Sequence, residues 1–182
     1  MTAGIVLAAG EGRRFGGPKA PVEVDGERLV DRAVRTLREA GCDPVFVVLG
    51  AWQGHVADAL VIVNHGWSEG LASSLRIGLK WARATSERDD DDAIITLVDL
   101  PGLTSFAVER LMASDADIAV ATYQGERGHP VKVARKHWQE LIDNVSGDEG
   151  ARAFIDAQSG VDFVEVGDVA DGRDLDEPPA PS

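Results

Sequence analysis

Short apolar runs rich in Val, Ile and Leu recur along the chain at residues 3–9, 44–49, 60–63, 93–98, 117–121 and 161–166, with helical periodicity between them. Nearly every position in these runs is apolar, as a strand buried on both faces requires; a strand with one wet face would alternate. Parallel strands need crossovers long enough to hold a helix. The alternation therefore predicts an α/β fold: a three-layer α/β/α sandwich around a mostly parallel, Rossmann-like sheet with right-handed crossovers. The first crossover helix is expected over about residues 27–40, where Leu29, Val30, Ala33, Val34 and Leu37 form one stripe and Gly41 offers a C-terminal stop. A second is expected from about Gly70, with Leu71, Leu75, Leu79 and Ala82 on one face and Ser68 as its N-cap. Ligands of such sheets bind outside the carboxyl ends of the strands, so residues at strand ends are the candidates for chemistry.

At 182 residues the chain has the length of one domain. Residues 1–170 are expected to form it and 171–182 a C-terminal tail, with Pro178–Ser182 frayed. A net charge of −13 argues against a surface that tracks nucleic acid, which needs clustered Lys and Arg. The single cysteine, Cys42, excludes a disulfide within the chain and reads as a small buried packing residue. With no apolar stretch of membrane-spanning length and no basic region leading into an apolar one, the expected setting is cytoplasmic. The run Asp89-Asp90-Asp91-Asp92 reads as a solvated loop rather than a metal site. His55 and His137 read as helix-surface residues, and His65 as a loop surface residue.

A glycine-rich loop, Gly10-Glu11-Gly12-Arg13-Arg14-Phe15-Gly16-Gly17-Pro18-Lys19, follows the first apolar run. Glycines let backbone N–H groups close on a polyanion while Arg and Lys neutralise it, so the loop reads as a phosphate cradle. It is not a dinucleotide G-x-G-x-x-G, because Phe15 stands where the third Gly is needed. Nor is it a Walker loop, because Pro18 precedes the lysine and Ala20 follows it. The spelling it does fit is L-A-A-G-x-x-x-R-x-G-x-x-K, read from Leu7-Ala8-Ala9-Gly10 through Arg14, Gly16 and Lys19. This resembles the opening of the molybdenum cofactor cytidylyltransferase-like family of small nucleotidyltransferases. The resemblance implies a fold of the nucleotide-diphospho-sugar transferase type. It further implies that Leu7, Ala8, Ala9, Gly10, Arg13 and Gly16 bind the nucleotide while Arg14 and Lys19 grip its triphosphate.

Later segments extend the resemblance. Asp99 ends the run 93–98, where a carboxylate either caps the next turn or holds Mg²⁺, an ion that takes one or two carboxylates plus phosphate oxygens. The family's Asp-Gln-Pro appears here as Asp99-Leu100-Pro101. Asn64 to Ser74 resembles the family's N-x-x-W-x-x-G-x-x-S-S segment, which implies nucleotide contacts from Asn64, Gly70, Ser73 and Ser74. Gly128-His129-Pro130 resembles the acceptor side of the family's site, although a structural turn fits those residues equally well. Asp148, in a Gly-Asp-x-Gly-Ala-Arg pattern, reads alone as a helix N-cap and, beside Asp99, as a second metal carboxylate. Asp174-Leu175-Asp176-Glu177-Pro178 resembles the family's closing Asp-Ile-Asp-Thr-Pro.

The activity so implied is Mg²⁺-dependent transfer of CMP from CTP to the terminal phosphate of molybdenum-molybdopterin. Pyrophosphate leaves and molybdopterin cytosine dinucleotide is formed for a molybdenum hydroxylase. The alternatives are a guanylyl or sugar-phosphate nucleotidyltransferase, and a non-catalytic molybdenum-cofactor carrier.

Overall fold

In the computed structural model, which describes residues 1–148 and 150–178, strand β1 (Thr2–Ala8) lies at the heart of the sheet. It pairs in parallel with β4 (Val45–Leu49) and with β6 (Asp92–Leu97), and β4 pairs in parallel with β5 (Leu60–Val63). Alternate β1 residues feed two separate cores. Val6 and Ala8 pack beneath α1 (Leu29–Glu39) and α3 (Ser105–Met112), while Ile5 and Leu7 pack beneath α2 (Leu71–Thr85) and α4 (Trp138–Asn144). Burial on both faces explains the unbroken apolar spelling.

The sheet has the order β5-β4-β1-β6-β8-β7-β9, where β7 is Ile118–Tyr123, β8 is Glu126–Ala134 and β9 is Asp162–Glu165. Strand β8 is the element that apolar runs alone do not reveal. It lies antiparallel between β6 and β7, joined to β7 by a tight turn at Gln124-Gly125, both at positive φ. Its first two residues are exposed, the next two are partly buried and Lys132 interrupts its buried half, so only Val131 and Val133 carry an inward apolar signal. The sheet is thus parallel on its β5–β6 side and mixed beyond it.

Local departures have local causes. The first helix starts at Leu29 rather than 27, because Glu27-Arg28 pairs with Glu23-Val24 in a small ribbon, β2 and β3, around Asp25-Gly26. Ser68 is not an N-cap: it lies in a 3₁₀ turn, Trp67–Glu69, and α2 is preceded by Gly70 with no side-chain cap. In the acidic run Asp89 and Asp90 are exposed as expected, but Asp91 is 1 % exposed and Asp92 opens β6. Burial works against ionisation of Asp91; the bond from the Met1 ammonium (2.8 Å) and that from Ser86 Oγ (2.6 Å) outweigh it and hold its pKa below the usual range. His65 is exposed in its loop, and His55 is exposed in irregular chain rather than on a helix. His137 sits on a 3₁₀ turn with its ring edge-on to Phe154. Cys42 is buried, and burial pushes its thiol up to about 12, which suits packing and not nucleophilic attack. Residues 179–182 of the expected frayed terminus lie outside the described residues, whereas the chain up to Leu175 returns to the carboxyl end of the central strand β6.

Candidate active site

The carboxyl ends of β1 and β6 open onto a cavity of about 250 Å³ whose wall includes Ala8, Ala9, Gly10, Lys19, Trp67 and Asp99. Here Lys19 Nζ donates to Asp99 Oδ2 at 2.7 Å, each side chain 18 % exposed, and the ammonium lies 5.5 Å from the centre of the Phe15 ring. The glycine loop and the end of the fourth apolar run, eighty positions apart in sequence, therefore meet at one point. The loop is cinched by its own backbone: Gly16 N and Gly17 N both donate to Gly12 O, at 2.8 and 3.1 Å. Gly12 has φ +60°, and a Cβ there would fall 2.0 Å from Gly17 O. Gly10 has no such constraint, with nothing within 4 Å of a Cβ placed on it.

Leu7 and Leu71 border both this cavity and a second one of about 620 Å³. The larger cavity has an apolar floor, including Ile95, Val120 and Val131, and a polar rim of Arg127, His129, Asp148 and Arg152. Burial of the imidazole, opposed by the charge of Asp99, pushes His129 down to about 4, so the ring is neutral near pH 7. Arg127 is paired with Asp156 and stacks over the Phe163 ring at 4.6 Å.

Several residues singled out from sequence stand elsewhere. Arg13 is exposed and paired with Glu11, Arg14 and Gly16 are exposed, and none of the three lines either cavity. Asn64 and Ser73 are buried behind the wall. Asn64 Nδ2 donates to Ser73 Oγ (2.8 Å) and Ser74 Oγ (3.0 Å), its Oδ1 accepts from Gly66 N (2.9 Å), and Ser73 Oγ reaches Gly66 O at 2.9 Å. These bonds staple the 64–70 loop to α2, leaving Gly70 and Ser74 at the cavity. Gly128 and His129 line the larger cavity, whereas Pro130 is buried in β8. Asp148 is not an N-cap, since the short helix α5 (Arg152–Asp156) starts four residues later. Its carboxylate packs on the backbone of Gly70, whose absent Cβ would meet Asp148 Oδ1 at 2.6 Å. Asp99 and Asp148 thus line different cavities. Among the described residues no group of three or more His, Cys, Asp or Glu side chains stands ready to hold a metal ion.

Two participants lie in segments whose spelling resembles the family but assigns them no contact. Trp67 walls the smaller cavity, and the segment after β9 docks on the site, with Leu175 N donating to Asp99 O at 2.8 Å. Burial, then the charges of Asp99 and Asp176, raise the pKa of Asp174, with Lys19 opposing them.

Residues 4–161 match the family model of the MobA-like NTP transferase domain. The chain belongs to that family. Among its relatives, the nicotine blue oxidoreductase of Paenarthrobacter nicotinovorans is 34 % identical, over 95 % of this chain and 91 % of its own. A probable molybdenum cofactor guanylyltransferase of Mycobacterium tuberculosis is 30 % identical, over 95 % and 86 %. The crystal structure of the Rv0371c homologue from Mycobacterium sp. strain JC1 superposes with a TM-score of 0.80 at 29 % identity, covering 97 % of this chain and 90 % of that one. The fold of this family member is that of the nucleotide-diphospho-sugar transferases, with a mostly parallel central sheet flanked by helices. No helix among its described residues is long and apolar enough to cross a membrane.

Proposed function

We propose that this protein transfers CMP from CTP to the terminal phosphate of molybdenum-molybdopterin, releasing pyrophosphate and giving molybdopterin cytosine dinucleotide. The observation that carries the reading is the Lys19–Asp99 ion pair, set where the glycine loop and the end of β6 meet over the smaller cavity. A triphosphate offers Lys19 a denser anion than one carboxylate, so the ammonium passes to the phosphates and Asp99 is left to face a cation. That donor set fits Mg²⁺, which needs only one or two protein carboxylates when phosphate and water complete its shell. Asp99 is the first of these and Asp148 the second candidate. The ion, when bound, supplies positive charge to the phosphates and the leaving group.

In the transfer, an oxygen of the acceptor phosphate bonds to the α-phosphorus as the bond to the bridging β-phosphate oxygen breaks. Pyrophosphate carries away that electron pair. The attacking group is already an anion, so no general base is needed, and a neutral His129 beside the acceptor avoids trapping it. The protein's share is positioning and charge neutralisation. Leu7, Ala8, Ala9, Gly10, Gly70 and Ser74 seat the nucleotide, with Asn64 and Ser73 bracing their wall; Arg14, Arg13 and Gly16 join when the exposed loop closes on phosphate. Gly128 and His129 face the acceptor in the larger cavity. Residues 1–170, with the 171–175 strap docked against Asp99, form the catalytic unit, which works in the cytoplasm and passes its product to a molybdenum hydroxylase in transient contact.

Ala9 sets the base. The guanylyl spelling resembles Leu-Ala-Gly-Gly, and here a methyl group occupies the third place, where it narrows the site for a purine. The names of the guanylyltransferase relatives speak for GTP, which makes the base the point to test. Incubation with Mg²⁺, molybdopterin and each triphosphate should give faster turnover with CTP, and Ala9→Gly should move preference toward GTP. Equal or faster turnover with GTP by the unaltered protein overturns the cytidylyl assignment.

A redox reading has one finding in its favour: the nicotine blue oxidoreductase is more similar over nearly full length than the full-length guanylyltransferases. In that reading a hydride-donating dinucleotide occupies the smaller cavity and a flat dye the apolar floor of the larger one. Dye-dependent oxidation of NADH or NADPH, with no pyrophosphate from any triphosphate, would establish it.

A further inference from the structure

Two segments that frame the candidate site close on one half-buried side chain, Tyr123, at the end of β7. Its hydroxyl donates to the carbonyl of His129 at 2.6 Å. One part of its ring faces Gly128, where a Cβ would lie 2.9 Å away, and the ring also faces Gly172, where a Cβ would lie 2.5 Å away. Gly128 belongs to the strand that presents His129, and the charge of Asp99 acts on that imidazole. Gly172 belongs to the strap after β9, which is fixed at one end by Asp171 N on Gly102 O (3.0 Å) and at the other by Leu175 N on Asp99 O (2.8 Å). Both neighbours are glycine, and each lies against the ring where a side chain would collide with it. The family match ends at residue 161, so the strap lies outside it.

We infer that Tyr123 is a positioning residue for the transfer: its hydroxyl and ring hold the His129 strand and the 171–175 strap in register with Asp99. The inference rests on the nucleotidyl-transfer reading of the site. Tyr123 lines neither cavity; its hydroxyl holds the His129 strand, so loss of the hydroxyl falls on the acceptor side, whereas a shift of the strap against its ring falls on Asp99.

Tyr123→Phe keeps the ring and removes one hydrogen bond; about a tenfold rise in acceptor KM is expected, with CTP affinity and Tm nearly unchanged. Gly172→Ala drives a methyl into the ring and should lower kcat. Removing the ring makes room for that methyl, so Tyr123→Ala combined with Gly172→Ala should lose less than the two single variants sum to. A structural role alone would lower Tm in step with activity and raise the KM of CTP as much as that of the acceptor.

A readout independent of catalysis is available because Tyr123 is the sole tyrosine. Burial, with the charges of Asp171 and Glu165, pushes its hydroxyl up to about 12. Absorbance titration should show it un-ionised at about pH 10.5, where a free phenol is mostly ionised, and Gly172→Ala should bring the ionisation down. Unchanged acceptor KM in Tyr123→Phe, strict additivity in the double variant, or a tyrosine titration indifferent to Gly172→Ala each overturns the inference. A wild-type protein that transfers no nucleotide sinks the reading of the site and the catalytic role with it, while the titration still separately decides the ring contact.

Discussion

Gly10 and Gly12 stand in the same loop and are glycine for opposite reasons. At Gly12 the protein forbids a side chain, through φ +60° and the Gly17 carbonyl; at Gly10 it leaves open space on the cavity wall. Gly12→Ala should therefore destabilise the fold by about 1–3 kcal/mol of strain and displaced loop, lowering Tm whether or not nucleotide is present. Gly10→Ala should melt like the unaltered protein alone yet lose most of the Tm rise that CTP and Mg²⁺ produce. Equal Tm losses in the two variants would mean that Gly10 serves the fold. The buried Cys42, with its thiol at about 12, should resist iodoacetamide until the chain unfolds. Lys19 and Asp99 were legible because strand-end position and loop spelling converge on them. Asn64 and Ser73 were not legible as braces. A sequence shows that a polar side chain has donors and acceptors but not whether a ligand or a neighbouring backbone will take them.

Among the elements, those buried on both faces could be read directly, since continuous Val, Ile and Leu leave few other solutions. Strand β8 could not, because polar and glycine residues fill its first half, Lys132 interrupts its buried half, and it enters antiparallel through a turn rather than through a helix. That turn depends on Glu165, whose carboxylate accepts from Gln124 N (2.8 Å), Gly125 N (3.1 Å), Gly167 N (3.0 Å) and Thr122 Oγ1 (3.0 Å). The amides of Gln124 and Gly125, ahead of the other partners, hold its pKa below 4.5. A carboxylate with a lowered folded-state pKa stabilises the fold above its unfolded value, and that contribution fades as pH falls through the folded one. Denaturant midpoints measured from about pH 6 to pH 3 should accordingly fall more gently in Glu165→Gln than in the unaltered protein. Parallel acid limbs in the two proteins would remove Glu165 as the clasp of the turn. The strap at 171–175 reads as a tail in the sequence, because the Asp174–Pro178 spelling marks a resemblance but not that Leu175 is the partner of Asp99; that contact is made only once the sheet has closed.

At the scale of the whole molecule, an acidic chain of net charge −13 keeps one lysine at the mouth of a cavity formed by strand ends. That contrast suits a small polyanion guided to one place, and the contiguous larger cavity gives a second reactant room beside it. The fold, the family and the meeting of loop and strand end follow from what the chain spells. On the proposed reading the base follows from the spelling at Ala9, whereas the acceptor depends on the shape of the larger cavity, which no local pattern encodes. The most direct measurement is pyrophosphate release with CTP, Mg²⁺ and molybdopterin, comparing the unaltered protein with Asp99→Asn. One pyrophosphate should appear per dinucleotide formed, and Asp99→Asn should slow the release by about a hundredfold or more while still binding molybdopterin. Release at the same rate from Asp99→Asn, or none from the unaltered protein with any triphosphate, would contradict the account.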